Sequence, residues 1–305
     1  MFHPSVVSLA GVWIVVAALL VVVDSGHAYA TLFRTYFDKG VMKASPQFYW
    51  IPPACFIGMF VWAFAGLPYF WAFVIYFTFY HNVKQHFGIT SWYAKLNNCS
   101  LKELKFFLYV FTIMPFVSFH FRDFEYTSIY TPNEIFFYQN ESIYKGLMIL
   151  NLALLLIFIA YFGRHYYKNR MNLPVFYSIF FPGALSFLCL NFGANMEQAL
   201  VPMLVIHGFA YFCLTAFVIE KKPNNKYKIL PLILLVLIVA GAFGAIEKAL
   251  SFGFVDYLDS EKYRGKFLLS IAASFIVMPS LTHYIVDGLI WRKTDPEFSK
   301  ALKES

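Results

Sequence analysis

Five of the eight histidines in this chain of 305 residues stand out by position. His27, His81, His86, His207 and His283 lie within or at the ends of apolar runs, where an ionisable group is costly and signals function by default. The stretch Tyr80-His81-Asn82-Val83-Lys84-Gln85-His86-Phe87-Gly88 closes one such run. His283-Tyr284-Ile285-Val286-Asp287 places an imidazole and a carboxylate at i and i+4, on one helix face. That spacing lets both touch one ion, or lets Asp287 orient His283 from behind. Asp24 stands three residues before His27, again on a shared face. Imidazoles with a carboxylate suit iron, manganese, zinc or copper, whereas oxygen-only sites suit magnesium or calcium. The metal set expected here is His27, His81, His86, His207, His283 and Asp287, with non-haem iron as the ion. Zinc, manganese, copper, or haem held by two histidines, are the alternatives.

Around these residues stand supporting groups. Gln85, four residues from His81, is a hydrogen-bonding partner for the site. Thr31, Arg34 and Asp38 follow His27 at i+4, i+7 and i+11 and continue its helix face. Arg34 serves either a lipid headgroup or carboxylate, or simply anchors the inner membrane surface. The five-residue step from His81 to His86 is not a same-face pair. If the helix stays regular through Gly88, only one of the two faces the metal, and His81 is the choice. His3, His120 and His165 read as solvated residues at termini or interfaces.

The elements that must position these side chains are membrane helices. The chain is 60% hydrophobic, 21% aromatic and only 13% charged, against about 25% charged in a soluble domain. The net charge of +7 sits mostly in short loops and reads as topology, not nucleic-acid binding. The four cysteines, Cys55, Cys99, Cys189 and Cys213, form no CxxC pair; neither a disulfide framework nor a thiolate site is expected.

A span needs about 20 apolar residues. Nine stretches qualify: 6–25, 48–65, 68–87, 104–120, 145–163, 173–193, 199–219, 229–247 and 267–291. Lys- and Arg-rich loops alternate with poorer ones, the acidic 121–143 segment among the latter. The alternation puts the N-terminus outside and the C-terminus in the cytoplasm. The first stretch, although followed by Ala28-Tyr29-Ala30, lacks a basic start and reads as a retained span. The expected fold is therefore an all-α polytopic membrane bundle, one transmembrane domain over 1–305, in a bacterial inner membrane. On this topology the four spans bearing His27, His81, His207 and His283 present ligand-type groups toward the inner half of the bilayer.

At Asp24-Ser25-Gly26-His27-Ala28, followed by later membrane-embedded histidines, the chain resembles the Brp/Blh-type β-carotene dioxygenases. These are polytopic membrane proteins with a His-ligated non-haem iron. Their first-span motif is P-H-G with a following Asp. His27 matches its histidine, Gly26 stands in place of the proline, and Thr31 stands where an acid would follow. The resemblance implies an arrangement like that of a non-haem iron oxygenase. Together these readings predict a membrane metalloenzyme, an oxygenase or oxidase of a lipid-like apolar substrate, with membrane lipids, dioxygen and an electron donor as partners. The alternative is a proton-coupled transporter or channel using the same buried His and Asp residues.

Overall fold

Asparagine, aspartate, proline and glycine set where the helices of this chain begin and end. The computed structural model describes residues 20–99, 101–123, 136–168, 170–193, 196–222, 225–259 and 265–291. Most of the expected first span, the centre of the acidic 121–143 segment, His3 and the basic C-terminal tail lie outside these residues. Every regular element among the described residues is helical. A π-helical segment, Leu20–Ser25, leads into α1 (Gly26–Arg34); then come α2 (Lys39–Ala44), a 3-10 turn (Pro46–Tyr49), α3 (Ile51–Ala65), α4 (Phe70–Leu96) and α5 (Leu101–Phe119). The remainder are α6 (Glu141–Tyr167), α7 (Leu173–Phe192), α8 (Met196–Glu220), α9 (Ile229–Asp259) and α10 (Lys266–Ile290).

The caps follow from the local sequence. Asn140 caps α6 by accepting from the Ile143 N–H at 3.0 Å, and Asn172 caps α7 through Val175. Pro52 and Pro53 sit in the first turn of α3, where a missing N–H costs nothing. Gly66 ends that helix in the left-handed conformation at φ 68°. Pro182 lies inside α7 and leaves the Ser178 carbonyl without its usual helical donor. The Thr90 hydroxyl of α4 reaches that carbonyl at 3.3 Å, so the interruption is satisfied by a neighbouring helix.

Six of the described helices are long and apolar enough to cross a membrane: Pro46–Ala65, Glu141–Tyr167, Leu173–Phe192, Gln198–Glu220, Ile229–Glu247 and Lys266–Ile290. They coincide with six of the nine expected stretches. Two more stretches, 68–87 and 104–120, form helices α4 and α5 but are not among the six. The reason is polar load. α4 carries His81, Asn82, Lys84, Gln85 and His86 in succession, and α5 opens with Lys102, Glu103 and Lys105. The large apolar side chains exposed on the six helices, such as Ile149, Leu156 and Ile238, suit contact with lipid tails. The protein is an integral membrane protein by this reading of its helices.

The chain forms two compact units, one of residues 1–70 and 208–305 and one of residues 71–207. In the first unit, α1 and α9 meet at two glycines. A Cβ on Gly26 would lie 3.0 Å from the Gly241 Cα. Small residues allow backbones to approach this closely, which is how membrane helices gain contact without a hydrophobic drive. In the same unit α10 packs on α3, where Phe56, Phe60 and Phe64 meet Phe267 and Phe275 with ring centroids 4.8–6.0 Å apart. In the second unit, Phe107, Phe111, Phe158 and Ile179 join α5, α6 and α7. A Cβ on Gly183 would sit 2.7 Å from that of Phe111.

Asp38 does not extend the helix face of Thr31 and Arg34 as its spacing suggests. α1 ends at Arg34, and Asp38 instead caps α2 by accepting from the Gly40 and Val41 N–H groups at 2.9 and 3.1 Å. Lys222 forms an ion pair with it. Partial burial pushes this carboxyl up, but the Lys222 hydrogen bond, the two N–H groups and the lysine charge together hold it below the usual carboxylate range. A depressed folded-state pKa contributes stability that is present above the unfolded value and lost as pH falls through the folded value. Lys222→Ala should therefore lower the melting temperature at neutral pH, and the difference from the wild type should begin to shrink below about pH 4 and vanish at a pH below the depressed folded-state value. A gap in melting temperature that stays constant down to that pH would show that the pair contributes nothing.

Candidate metal centre

The first unit holds His27 and His283 side by side. Both are sealed, at 3% and 1% exposed, with ring centroids 4.9 Å apart and planes at 88°. His27 opens α1 directly after the π-helical segment. Its Nδ1 lies 3.2 Å from the Val23 carbonyl oxygen four residues back. We assign the proton to Nδ1, which donates to that carbonyl and leaves Nε2 as the ligand atom. π-Helical turns recur at functional sites, and this one sets the height of the Val23 carbonyl beneath His27. Gly208 on α8 makes room for it: a Cβ there would come within 2.6 Å of the Val23 oxygen.

His283 is held by a chain of side chains. Its Nδ1 lies 2.6 Å from the Thr31 hydroxyl, which lies 3.0 Å from the Tyr211 hydroxyl, and Tyr211 in turn bonds the Asp287 carboxylate. With Asp287 taken as the acceptor, the order of protons follows from that end. Tyr211 donates to Asp287, Thr31 donates to Tyr211, and the His283 Nδ1–H donates to Thr31. On this order His283 keeps its Nε2 lone pair, which could serve as a ligand atom. Asp287 acts on His283 through two intermediaries, the second of the two roles that its i+4 spacing allows. The Tyr211 ring also stands edge-on to His283 at 4.8 Å. Arg34 is completely buried; its guanidinium lies 5.2 Å from the Trp291 ring centroid, and its charge reaches Asp287. It is not a surface anchor.

The second unit holds His81 and His207, 6% and 1% exposed, with ring centroids 5.1 Å apart and planes at 86°. Gln85, one turn beyond His81, donates its amide to the His207 backbone carbonyl at 2.9 Å. α4 runs unbroken from Phe70 to Leu96, so His86 points about 140° around the helix from His81.

His27 and His283 in the first unit, and His81 and His207 in the second, are thus two pairs of buried imidazoles. Two imidazoles at such a spacing could each supply part of a metal's ligand set. The burial and the two occupied Nδ1 atoms fit that role, since ligating imidazoles donate their other nitrogen to a fixed acceptor. Thr31, Asp287 and Arg34 lie around the first pair, and Gln85 lies beside the second. Comparison with protein-family models, curated proteins and solved structures finds no match to this chain.

Tyr211 is the residue that sequence reasoning missed. It is one of 21 tyrosines, and only its place four residues after His207, on the same helix face, could have marked it. His120, expected to be solvated, is half-buried in an aromatic cluster. It is bonded to the Tyr76 hydroxyl at 2.7 Å and the Phe116 carbonyl at 2.6 Å.

The chain of donors makes Thr31 testable. Thr31→Val keeps the shape but removes both hydrogen bonds. Metal affinity, measured by competition with a chelator, should fall about 10–100-fold, as for other residues that orient ligands. Thr31→Ser should restore it. Equal affinity in the valine variant would exclude the ordered chain.

Proposed function

We propose that the protein is an integral-membrane metalloprotein of the oxidoreductase class, with His27, His81, His207 and His283 as ligands to one ion. The observation that carries this reading is the two buried histidine pairs, His27 with His283 and His81 with His207, their ring centroids 4.9 and 5.1 Å apart. Such a donor set suits iron, zinc or copper over magnesium or calcium. Iron is the choice because the Asp24–Ala28 segment resembles the first-span motif of the Brp/Blh-type dioxygenases. A bound iron would supply dioxygen activation. The chain's own residues would hold it, exclude water with aromatic walls, and fix the two ligand tautomers through Val23 and Thr31. The substrate class is a lipid-like apolar molecule entering from the bilayer, and an electron donor completes the reaction. The topology proposed with this is nine spans in a bacterial inner membrane, N-terminus outside and C-terminus in the cytoplasm.

Elemental analysis of the detergent-purified protein tests the reading. About one equivalent of iron, lost with the histidines, is expected. Protein free of transition metal after expression in metal-replete medium would count against it. A second reading, a proton-coupled transporter, draws on the His283–Thr31–Tyr211–Asp287 chain, since such chains also conduct protons. It predicts pH-driven flux in proteoliposomes that persists after metal removal.

A further inference from the structure

A small cavity in the second unit is bordered by three buried polar side chains that bond to nothing in the described structure. Asn82 and His86 of α4 and Ser186 of α7 are 7%, 6% and 3% exposed. All three line the same space, with Thr112 of α5, Pro182 of α7 and Met203 of α8. Among the described residues none of the three makes a side-chain hydrogen bond. Ser186 is unusual in this. Thr78, Thr112, Ser178, Ser270 and Ser274 all turn their hydroxyls back onto carbonyls three or four residues earlier, at 2.6–2.8 Å. Ser186 has such a carbonyl at Pro182 but does not use it. Asn82 and His86 are one helical turn apart on one face of α4, so their polar ends reach the cavity together.

The space has room for about one water-sized molecule. A buried water makes about three hydrogen bonds to groups otherwise unsatisfied, and three such groups are present. Left dry, the same walls would bury an amide, an imidazole and a hydroxyl without partners, which is costly.

We propose that this cavity is a binding site for a single water-sized hydrogen-bonding ligand, water in the resting protein, held by His86, Asn82 and Ser186. His86 thereby has a role of its own: it binds a small molecule beside the metal-binding imidazoles, its ring centroid 6.2 Å from that of His207. The site is independent of whether those imidazoles carry an ion.

Two measurements on the full-length protein decide the matter, neither requiring metal. An experimental density map that shows other buried waters should show one peak within hydrogen-bond reach of His86, Asn82 and Ser186; an empty cavity in such a map overturns the proposal. Ser186→Val fills the space with a methyl group and removes one partner. If the cavity is a ligand site, the melting temperature of the metal-free protein should fall by about 2–4 °C, because His86 and Asn82 lose their shared partner. If it is only a packing fault, filling it stabilises the helices, and an unchanged or raised melting temperature refutes the site.

Discussion

His283→Ala should strip the protein of its metal, while His86→Ala should leave it bound. Residues that merely orient a ligand cost about 10–100-fold in affinity when removed, so deleting a ligand should cost more, leaving under about a tenth of an equivalent after purification. Loss of metal should also appear in stability. An ion present at about 1,000 times its dissociation constant stabilises the folded state by about 4 kcal/mol, so chelation should lower the melting temperature of the wild type but not of His283→Ala. His86 supplies the contrast. It is as buried as His81 and equally imidazole in character, but its ring stands 6.2 Å from that of His207, against 5.1 Å for His81. A pair of variants that lost metal equally would mean that burial and general packing, not ligation, control retention. Metal retained by both would remove the centre altogether.

Gly208→Ala should be nearly as damaging, although it adds one methyl group and touches no ligand. That methyl would meet the Val23 carbonyl oxygen at 2.6 Å and the Val23 Cγ1 at 2.9 Å. Neither can give way cheaply. The oxygen is backbone, and it accepts the His27 Nδ1–H. Overpacking of this kind costs about 1–3 kcal/mol, and relief requires moving Val23 away, which releases His27. Weaker metal binding and a lower melting temperature should therefore come together. Gly88→Ala is the control. Its Cβ would meet nothing within 4 Å, and alanine is the better helix former by about 0.5–1 kcal/mol, so that variant should be neutral or slightly more stable. If both alanines behave alike, the close approach of Val23 to α8 is not a constraint.

Features that depend on short-range pattern are legible in the order of the amino acids. Helix positions follow from apolar runs bounded by Pro, Gly and Asn, and six of the expected stretches form helices apolar enough to cross a membrane. The four histidines of the two pairs stand out because charge and hydropathy make a buried imidazole conspicuous at any distance from its partners. That His81 and His86 cannot share a face follows from helix periodicity alone. Other features have no such local mark. Tyr211 and Ser186 are common residue types in apolar helices, and nothing nearby in the chain says that one bonds Thr31 or that the other declines its own helix carbonyl. Gly208 looks like any membrane-helix glycine until the Val23 carbonyl is set against it. The π-helical turn before His27 and the division into two units rest on contacts far apart in sequence, where the pattern within one helix is silent.

Thr31 and His283 touch although they stand 252 positions apart in the chain, and this separation has a meaning during synthesis. At about 5–20 residues per second, the helix bearing Arg34 and Thr31 waits roughly 13–50 s before α10 leaves the ribosome. Until then the Arg34 guanidinium has neither Trp291 beneath it nor Asp287 nearby. Its contacts with Trp291 and Asp287 form only once that end of the chain is made. A nascent chain halted before that helix would already hold most of its membrane helices and still lack the polar network around His283. α10 thus completes the network around His283, and a ribosome-stalled series should acquire metal-binding competence in a single step once α10 has emerged.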